Sequence, residues 1–376
     1  MDDSPGDPRE TTQALAQHQL WLKGRGGKRM ELRLTNLSGL KLTGFDFSRG
    51  TMLACNLSQA DLRGSRFVEA DLTNSLFIGS DLRRCDFTRA NLRGTRFYKS
   101  DMQSAVLDGS DLRVGTMTVH RKTRRGGDEE IISREYMTDL SYCNMEGASL
   151  QGAVLRKAQL RGVNFRGADL AKADFSGADM QGVILLGAKL DGANFFDTDI
   201  RDAVFTLDDT TRRLFKGNPF FVEFINGLKE VDRMLIQHEK WVEAGGRKGA
   251  RADFTGQSLR GVDLRGRELS AVSFKGADLT AAKLSHAKLA AADFSGATLH
   301  YTDMGGADLR GADFGSAHLL HTSFEAADLT DLMLRDGGAL PTRFGGARLE
   351  WTTFARALFD PARLHGAERE NIILPD

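Results

Sequence analysis

The chain has 376 residues, of which 41% are hydrophobic, and its 51 Lys and Arg residues balance 51 Asp and Glu residues. This composition is sufficient to bury a core, which excludes a disordered chain. The balanced charge excludes a global field that would favour nucleic acid, an anionic membrane or a cationic partner. The chain begins with the polar segment MDDSPGDPRE and contains no membrane-length apolar run, so we expect a soluble, cytoplasmic protein.

The first predicted element is a tail with a capping helix over residues 1–31, after which a strict period of five begins. From Leu32 to Met117 every fifth residue is apolar, usually Leu or Phe, and we call these residues the repeat centres. A small residue lies two positions before each centre, and Asp or Asn is common immediately before it, which defines the repeat A(D/N)LXX. Helices repeat an apolar face near 3.6 residues and strands at two, so the pattern needs another geometry.

The three cysteines, Cys55, Cys85 and Cys143, all lie at the small position two before a centre. Their odd number fits a reducing compartment, and their spacing matches neither a CxxC motif nor a metal site. We therefore interpret them as small buried spacers.

Residues 118–135 interrupt the repeat, and we predict that they form a loop extruded from one continuous structure. When the centres are numbered consecutively across the gap, the Phe centres on both sides keep even numbers. This predicts that the phase of the repeat survives the interruption. The segment Gly126-Gly127-Asp128 is predicted to be the tip of a projecting hairpin.

The loop also carries the one dense basic run of the chain. A run of this kind can bind phosphate, nucleic acid or an acidic protein surface. The alternative is a solvated hairpin tip that is balanced by the acidic residues 128–130. The candidate partner-binding residues are His120, Arg121, Lys122, Arg124 and Arg125.

The repeat resumes over residues 140–205, and residues 206–250 then follow the pattern of an amphipathic helix. The end of this helix, LIQHEKWVEAGG, resembles LAQHQLWLKGRGG near the start of the chain. Each copy precedes a repeat block, so we predict two modules that each begin with a capping helix. The matching residues are His18 with His238 and Trp21 with Trp241.

The second module is predicted over residues 251–364, followed by a C-terminal tail, residues 365–376. Its centres run from Phe254 to Leu364, with Ala339 as the one degenerate centre. Many Phe centres recur at every fourth repeat, which predicts a coil of four repeats with four sides and ladders of stacked rings inside. The predicted columns are Phe254, Phe274, Phe294, Phe314 and Phe354 for one side, and Phe324 and Phe344 for another.

These repeats resemble the pentapeptide-repeat family over most of the chain. The resemblance implies an all-β solenoid, a right-handed quadrilateral β-helix with four pentapeptides per coil. The centre and the small residue then point inward, and the other three positions point outward. We expect a first β-helix over residues 32–205, an α-helical linker over residues 206–250 and a second β-helix over residues 251–364. Solenoid ends in this family often pair, which makes a homodimer an expectation.

The sequence contains no nucleotide-binding loop, nucleophile elbow or metal-ligand spacing. The many aspartates are explained by local hydrogen bonds at turns. We therefore predict a protein that is not an enzyme and that has no cofactor or metal.

Two function classes remain. The first is a non-enzymatic scaffold that holds a protein partner, without direct nucleic-acid binding or membrane association. The second follows from the resemblance, because some family members look like double-stranded DNA and present an acidic rod to type II topoisomerases. Such mimicry needs uncompensated acidic columns. Here Arg63 and Arg83 stand beside the column of Asp61, Asp81 and Asp101, which disfavours this alternative.

Overall fold

The computed structural model describes the backbone of residues 8–122 and 129–375, and their side chains except for residues 8–11, 119–122 and 129–132. The chain divides into two compact units, which we call unit 1 and unit 2, with the boundary between Val222 and Glu223. The elements are α1 (Pro8–Leu22), β1 (Glu31–Arg33), β2 (Thr51–Leu53), β3 (Gly115–Lys122), β4 (Glu129–Tyr136), α2 (Asp209–Leu214), α3 (Pro219–Glu243), β5 (His318–Leu320), β6 (Leu332–Met333), β7 (Ala339–Leu340), β8 (Arg348–Glu350), a 3-10 helix (Pro361–Leu364) and β9 (Glu368–Glu370).

One coil of either unit contains four repeats. In unit 1 Asp61 bridges Asp81 in parallel, and in unit 2 Asp278 bridges Thr298. Longer parallel pairs join β1 to β2 and join β8 to both β5 and β9. Each unit is therefore a β-helix with four pentapeptides per coil, as predicted.

The corners of the coil explain the repeat sequence. The N–H of the small residue donates to the carbonyl of the preceding centre, as Ala60 does to Leu57 at 3.2 Å. The residue two after a centre adopts a positive φ, 67° at Gly64, which favours glycine there. The Asp before a centre accepts an N–H two residues on, as Asp71 Oδ1 does from Thr73 at 3.1 Å. The aspartates thus serve the turns, as predicted.

The core of each unit consists of stacked repeat centres. In unit 1 the ring centroids of Phe47, Phe67 and Phe87 stack at intervals of 4.8 Å, and Phe77 stacks on Phe97 at 5.0 Å. All five rings are fully buried. Each stacked pair contributes about 0.5–1.5 kcal/mol to the free energy of unfolding, in addition to the contribution from its buried area. The prediction of inner aromatic ladders is confirmed.

The three cysteines are buried free thiols at inward positions. Cys85 Sγ donates to the carbonyl of Leu62 at 3.0 Å, and Cys143 Sγ donates to that of Phe97 at 2.9 Å. Burial raises the pKa of the Cys85 thiol to about 12 and also raises the pKa of Cys143. They are small buried spacers, as predicted.

The extrusion in unit 1 is longer than the predicted loop of residues 118–135. Strands β3 and β4 pair antiparallel over their full length and form a hairpin. Met117 lies within β3, so its prediction as a repeat centre is wrong. The predicted tip, Gly126-Gly127-Asp128, lies outside the described residues.

The coil closes beside the hairpin without Met117. The N–H of Phe97 donates to the carbonyl of Asp139 at 2.7 Å, which places Leu140 above Phe97. The chain therefore extrudes residues 114–136, one repeat more than predicted. Parallel bridges from Asp101 to Asn144 and from there to Asn164 place the next Phe centre on a side that held Leu and Met before. The prediction that the Phe columns keep their phase is therefore wrong.

Deleting residues 114–136 joins Arg113 to Met137 and restores the repeat spacing from Leu112 to Leu140. We expect the melting temperature of this variant to stay near that of the wild type, because the inner stack is untouched and closing a surface loop costs little. Thermal melting followed by far-UV circular dichroism checks this. Loss of a cooperative transition would show that the hairpin belongs to the core.

A second, shorter extrusion interrupts unit 2. Strands β6 and β7 form a short antiparallel pair, and Asp313 bridges Arg343, six repeats on rather than four. Ala339 lies in β7, and the nearby Leu334 is 43% exposed. Both positions therefore belong to the extrusion and not to the stack of centres.

This extrusion exchanges two of the predicted Phe columns. Phe344 stacks on Phe314, and Phe354 stacks on Phe324, both with ring centroids 4.9 Å apart. The sequence predicts the opposite pairing, because a spacing of four repeats ignores the extruded residues. Phe359 extends the second column by stacking on Phe354 at 4.8 Å.

The predicted helical region, residues 206–250, contains α2 and α3. Within unit 1, the rings of Phe221 and Phe205 pack with centroids 5.9 Å apart. Within unit 2, Val231 and Leu235 are buried in the core of stacked centres. The amphipathic pattern of this segment therefore predicts its helical structure correctly.

Helices α1 and α3 each carry the same buried cap. His18 and His238 are fully buried, and each stacks on the Trp three residues later, at 5.6 and 5.7 Å. His18 Nδ1 accepts the N–H of Met30 at 3.1 Å, and His238 Nδ1 accepts that of Ala252 at 3.2 Å. Both N–H groups lie two residues before the first centre of a unit, so each histidine satisfies a donor at the first coil.

Acid is expected to weaken these caps. Burial lowers the pKa of His18 and of His238 below 6.5, although the carboxylates of Asp46 and Glu268 oppose the shift. A protonated imidazole has no free Nδ1 lone pair to accept the N–H. The contribution of the caps to the free energy of unfolding is therefore complete above about pH 6.5 and is lost as the pH falls through the lowered folded-state values.

Thermal melting between about pH 7.5 and pH 5.5 checks this for the wild type and a His18→Gln/His238→Gln variant. On acidification the melting temperature of the wild type should fall more than that of the double variant, because glutamine does not titrate. His365→Gln, at an exposed position, is the control and should leave the wild-type dependence unchanged. The same dependence in the double variant and the wild type would contradict the account.

Candidate interaction surfaces

The hairpin of unit 1 carries the predicted partner-binding residues. Three of them lie on β3 and pair through their backbones with β4: His120 with Ile131, Arg121 with Glu130, and Lys122 with Glu129. Two of the basic residues are therefore in register with a glutamate of β4. Arg124 and Arg125 lie outside the described residues, and their part in the site stays a prediction.

The root of the hairpin is held to the coil by close backbone contacts. A Cβ on Gly94 would lie 3.1 Å from the Cα of Gly115. Asn74 Nδ2 donates to the carbonyl of Thr116 at 3.2 Å. Where the chain re-enters the coil, Thr138 Oγ1 accepts the N–H of Gly94 at 2.9 Å. The hairpin therefore leaves the solenoid from a defined corner.

The extrusion in unit 2 has the same kind of root. Thr342 Oγ1 accepts the N–H of Gly311 at 3.1 Å. A Cβ on Gly311 would lie 2.9 Å from Leu332 Cβ. A glycine in the coil below and a threonine at re-entry thus accompany both extrusions, a signal that sequence analysis did not use.

The outward charges of unit 1 cancel along a column. Arg63 contacts Asp61 at 2.7 Å and Asp81 at 3.5 Å. Arg83 repeats the pattern with Asp81 at 2.5 Å and Asp101 at 3.5 Å. Hydrogen bonds from these guanidinium groups lower the pKa of Asp61 and of Asp81, whereas burial raises the pKa of Asp101. The acidic column is therefore compensated, as its sequence predicts.

Replacing Arg63 and Arg83 by Gln should raise the pKa of Asp61 and of Asp81 toward the ordinary carboxyl value, because the charged hydrogen bonds are lost. Side-chain NMR titration measures these values. Arg84→Gln is the control, since it removes one positive charge from an exposed position next to Arg83, and among the described residues Arg84 forms no ion pair with either carboxylate. Unchanged Asp pKa values in the double variant would refute the pairing.

Three stacked rings lie at one corner of unit 2, and we call them the ring ladder. Tyr301 and His321 stack at 5.1 Å with an interplanar angle of 15°, and His321 and Trp351 stack at 5.9 Å and 17°. Trp351 is 55% exposed. The ladder is hidden in the sequence, because the extrusion places Trp351 six repeats after His321. A search for aromatic residues separated by four repeats plus the length of the extrusion would have paired His321 with Trp351.

The remaining polar groups do not form a metal centre within the described ranges. No group of three or more His, Cys, Asp or Glu side chains there is placed to hold a metal ion. A cavity of about 160 Å³ in unit 1 is lined in part by Asp208, but this carboxylate caps α2 by accepting the N–H of Thr211 at 2.9 Å. No helix among the described residues is both long enough and apolar enough to cross a bilayer.

The model of the family described as pentapeptide repeats matches this chain in eight overlapping copies, which together cover more than half of the residues. No curated protein matches the chain. The matched segments are residues 55–94, 77–113, 138–167, 158–197, 168–206, 250–285, 277–315 and 307–336.

Several solved structures are similar to this chain. HetL, a pentapeptide repeat protein involved in heterocyst differentiation regulation from the cyanobacterium Nostoc sp. strain PCC 7120, is 19% identical over 95% of each chain, with a TM-score of 0.19. QnrB1, a plasmid-mediated fluoroquinolone resistance protein, is 17% identical over 50% of this chain and 97% of its own, with a TM-score of 0.22. Rfr23 from the cyanobacterium Cyanothece 51142 is 18% identical over 52% of this chain and 99% of its own, with a TM-score of 0.19.

Proposed function

Because the chain belongs to the pentapeptide-repeat family and has its right-handed quadrilateral β-helix, we propose that it is a non-enzymatic scaffold that holds a protein partner. The contact element in this proposal is the hairpin formed by β3 and β4. Its partner is an acidic protein surface, recognised by His120, Arg121, Lys122, Arg124 and Arg125. A cytoplasmic location and a homodimer through a solenoid end belong to the same proposal.

The observation that carries the proposal is the position of the hairpin outside a coil that closes without it. Leu140 stacks above Phe97 as if residues 114–136 were absent. The hairpin nevertheless has two fully paired strands of eight residues each. A paired element that adds nothing to the inner stack and leaves from a defined corner is well suited to present side chains to a partner.

The mixed charges of the hairpin favour a partner whose carboxylates match the positions of the basic residues. They do not favour attraction by net charge alone. Glu130 and Glu129 lie in backbone register with Arg121 and Lys122 in the hairpin, so the element carries acidic as well as basic residues. A partner must then offer carboxylates at matching positions to compete for them. Complementary charges of this kind increase specificity and the association rate more than affinity.

The compensated column of Asp61, Asp81 and Asp101 weighs against the alternative of DNA mimicry. A mimic of the phosphate backbone must present carboxylates whose field is not cancelled. On this column Arg63 and Arg83 each contact two successive carboxylates. We therefore prefer the scaffold.

Affinity capture from a lysate, followed by mass spectrometry, tests the hairpin as the contact element. The variant lacking residues 114–136 should lose the partner, and an Arg121→Ala/Arg124→Ala/Arg125→Ala variant should capture less of it, with a smaller dependence on salt. The matched control lacks residues 332–341, which removes the extrusion of unit 2 and restores the repeat spacing from Leu329 to Phe344. This control should capture the partner like the wild type.

Undiminished capture by the variant lacking residues 114–136 would contradict the role of the hairpin. Equal loss of the partner in both deletion variants would contradict it too, because the effect would then not depend on the basic hairpin. Circular dichroism of each variant confirms that the compared proteins are folded.

A further inference from the structure

Among the described residues, no further ring stacks on the outer face of the indole that ends the ring ladder. The backbone N–H of Trp351 donates to the backbone carbonyl of Glu370 at 2.9 Å, so the next residue of the column is Asn371. His321 covers the other face of the indole by stacking. Since Trp351 is 55% exposed, the outer part of this ring is available to a ligand.

The coil beyond Trp351 presents two carboxylates at its outward positions. Strand β9 pairs Glu368 with Arg348 and Glu370 with Glu350, and every residue of β9 is exposed. Glu350 is neutralised by Arg348, with Nε and Oε1 2.6 Å apart. The carboxylates of Glu368 and Glu370 form no ion pair within the described part of the chain, and that of Glu370 accepts the side-chain amide of Asn371 at 3.5 Å. Glu368 lies directly opposite Arg348, so the exposed indole borders a surface with an excess of negative charge, in which Glu350, Glu368 and Glu370 outnumber Arg348 and Arg369.

An indole face beside carboxylates selects for a planar cation. A guanidinium group can stack on the ring and donate N–H groups to a carboxylate at the same time. An ammonium group is attracted by the same charges, but it lacks the planar surface and the forked donors. We propose that Trp351, Glu368 and Glu370 bind an arginine side chain of a partner polypeptide.

This inference stands apart from the proposed role of the hairpin. The hairpin is proposed to recognise acidic groups through basic residues of unit 1, whereas this site recognises a basic group through unit 2. The two sites therefore call for partner segments of opposite charge. The second site does not depend on the extrusion of unit 2, because the coil closes across the extruded residues and so places Trp351, directly after β8, in the column of His321, directly after β5.

Fluorescence anisotropy of labelled peptides on the full chain tests the proposal. The probes are peptides of alternating Gly and Arg, Gly and Lys, or Gly and Glu, equal in length and measured at low salt. The arginine peptide should bind at least about threefold more tightly than the lysine peptide, and the glutamate peptide should not bind. Trp351→Ala should weaken the arginine peptide about tenfold, whereas Trp351→Phe should keep most of the binding.

The carboxylates are tested by Glu368→Gln/Glu370→Gln. This variant should bind the arginine and lysine peptides more weakly by the same factor, and its binding should lose most of its dependence on salt. Tyr142→Ala is the matched control, because Tyr142 is also 55% exposed but lies in unit 1. It should leave binding unchanged, and so should deletion of residues 114–136, which separates this site from the hairpin. Equal affinity for the arginine and lysine peptides, or unchanged binding by Trp351→Ala, would overturn the proposal.

Discussion

Each coil is joined to the next by backbone hydrogen bonds from the repeat centres, such as the bond from the N–H of Leu57 to the carbonyl of Leu76 at 2.7 Å. These bonds require the chain to return to the same side after four repeats, or after four repeats plus a segment that leaves the coil completely. The constraint explains why both extrusions start and end at corners. It also explains why Thr138 and Thr342, on re-entry, receive an N–H from a glycine of the coil below.

The same constraint determines where function can be located. Two of every five residues are committed to the inner stack, and the Asp before a centre often bonds the turn, as Asp71 does. Binding chemistry is therefore left to the outward columns and to the segments that leave the coil. In unit 2 the stacking of both inner and outer columns continues across the extrusion, inside from Phe314 to Phe344 and outside from His321 to Trp351.

Much of the fold could be predicted because the core repeats along the chain. A period of five identifies the buried centres, and the cysteines fall at the small position, which is buried in the structure. The duplicated His and Trp residues of α1 and α3 mark the two caps. Each of these features depends on neighbours one repeat or one coil away, and such neighbours leave a regular spacing in the sequence.

The errors arose where spacing alone cannot distinguish a coil from a segment that imitates it. Gly115, Thr116 and Met117 fit the repeat by their residue types, yet they form a strand of the hairpin. Only the closure of the coil, with Leu140 above Phe97, shows that Met117 is not a centre. The ring ladder was missed for the same reason, since the spacing between His321 and Trp351 includes an extrusion.

Disulfide trapping tests the coil closure most directly. Asp101 bridges Asn144, so their backbones are adjacent, at a distance that a disulfide can span. If the extruded segment were residues 118–135, Asp101 would instead lie beside Asp139. Mild oxidation should therefore cross-link an Asp101→Cys/Asn144→Cys variant and not an Asp101→Cys/Asp139→Cys variant, as read by mass spectrometry of tryptic peptides. Cross-linking of the second variant in place of the first would contradict the account.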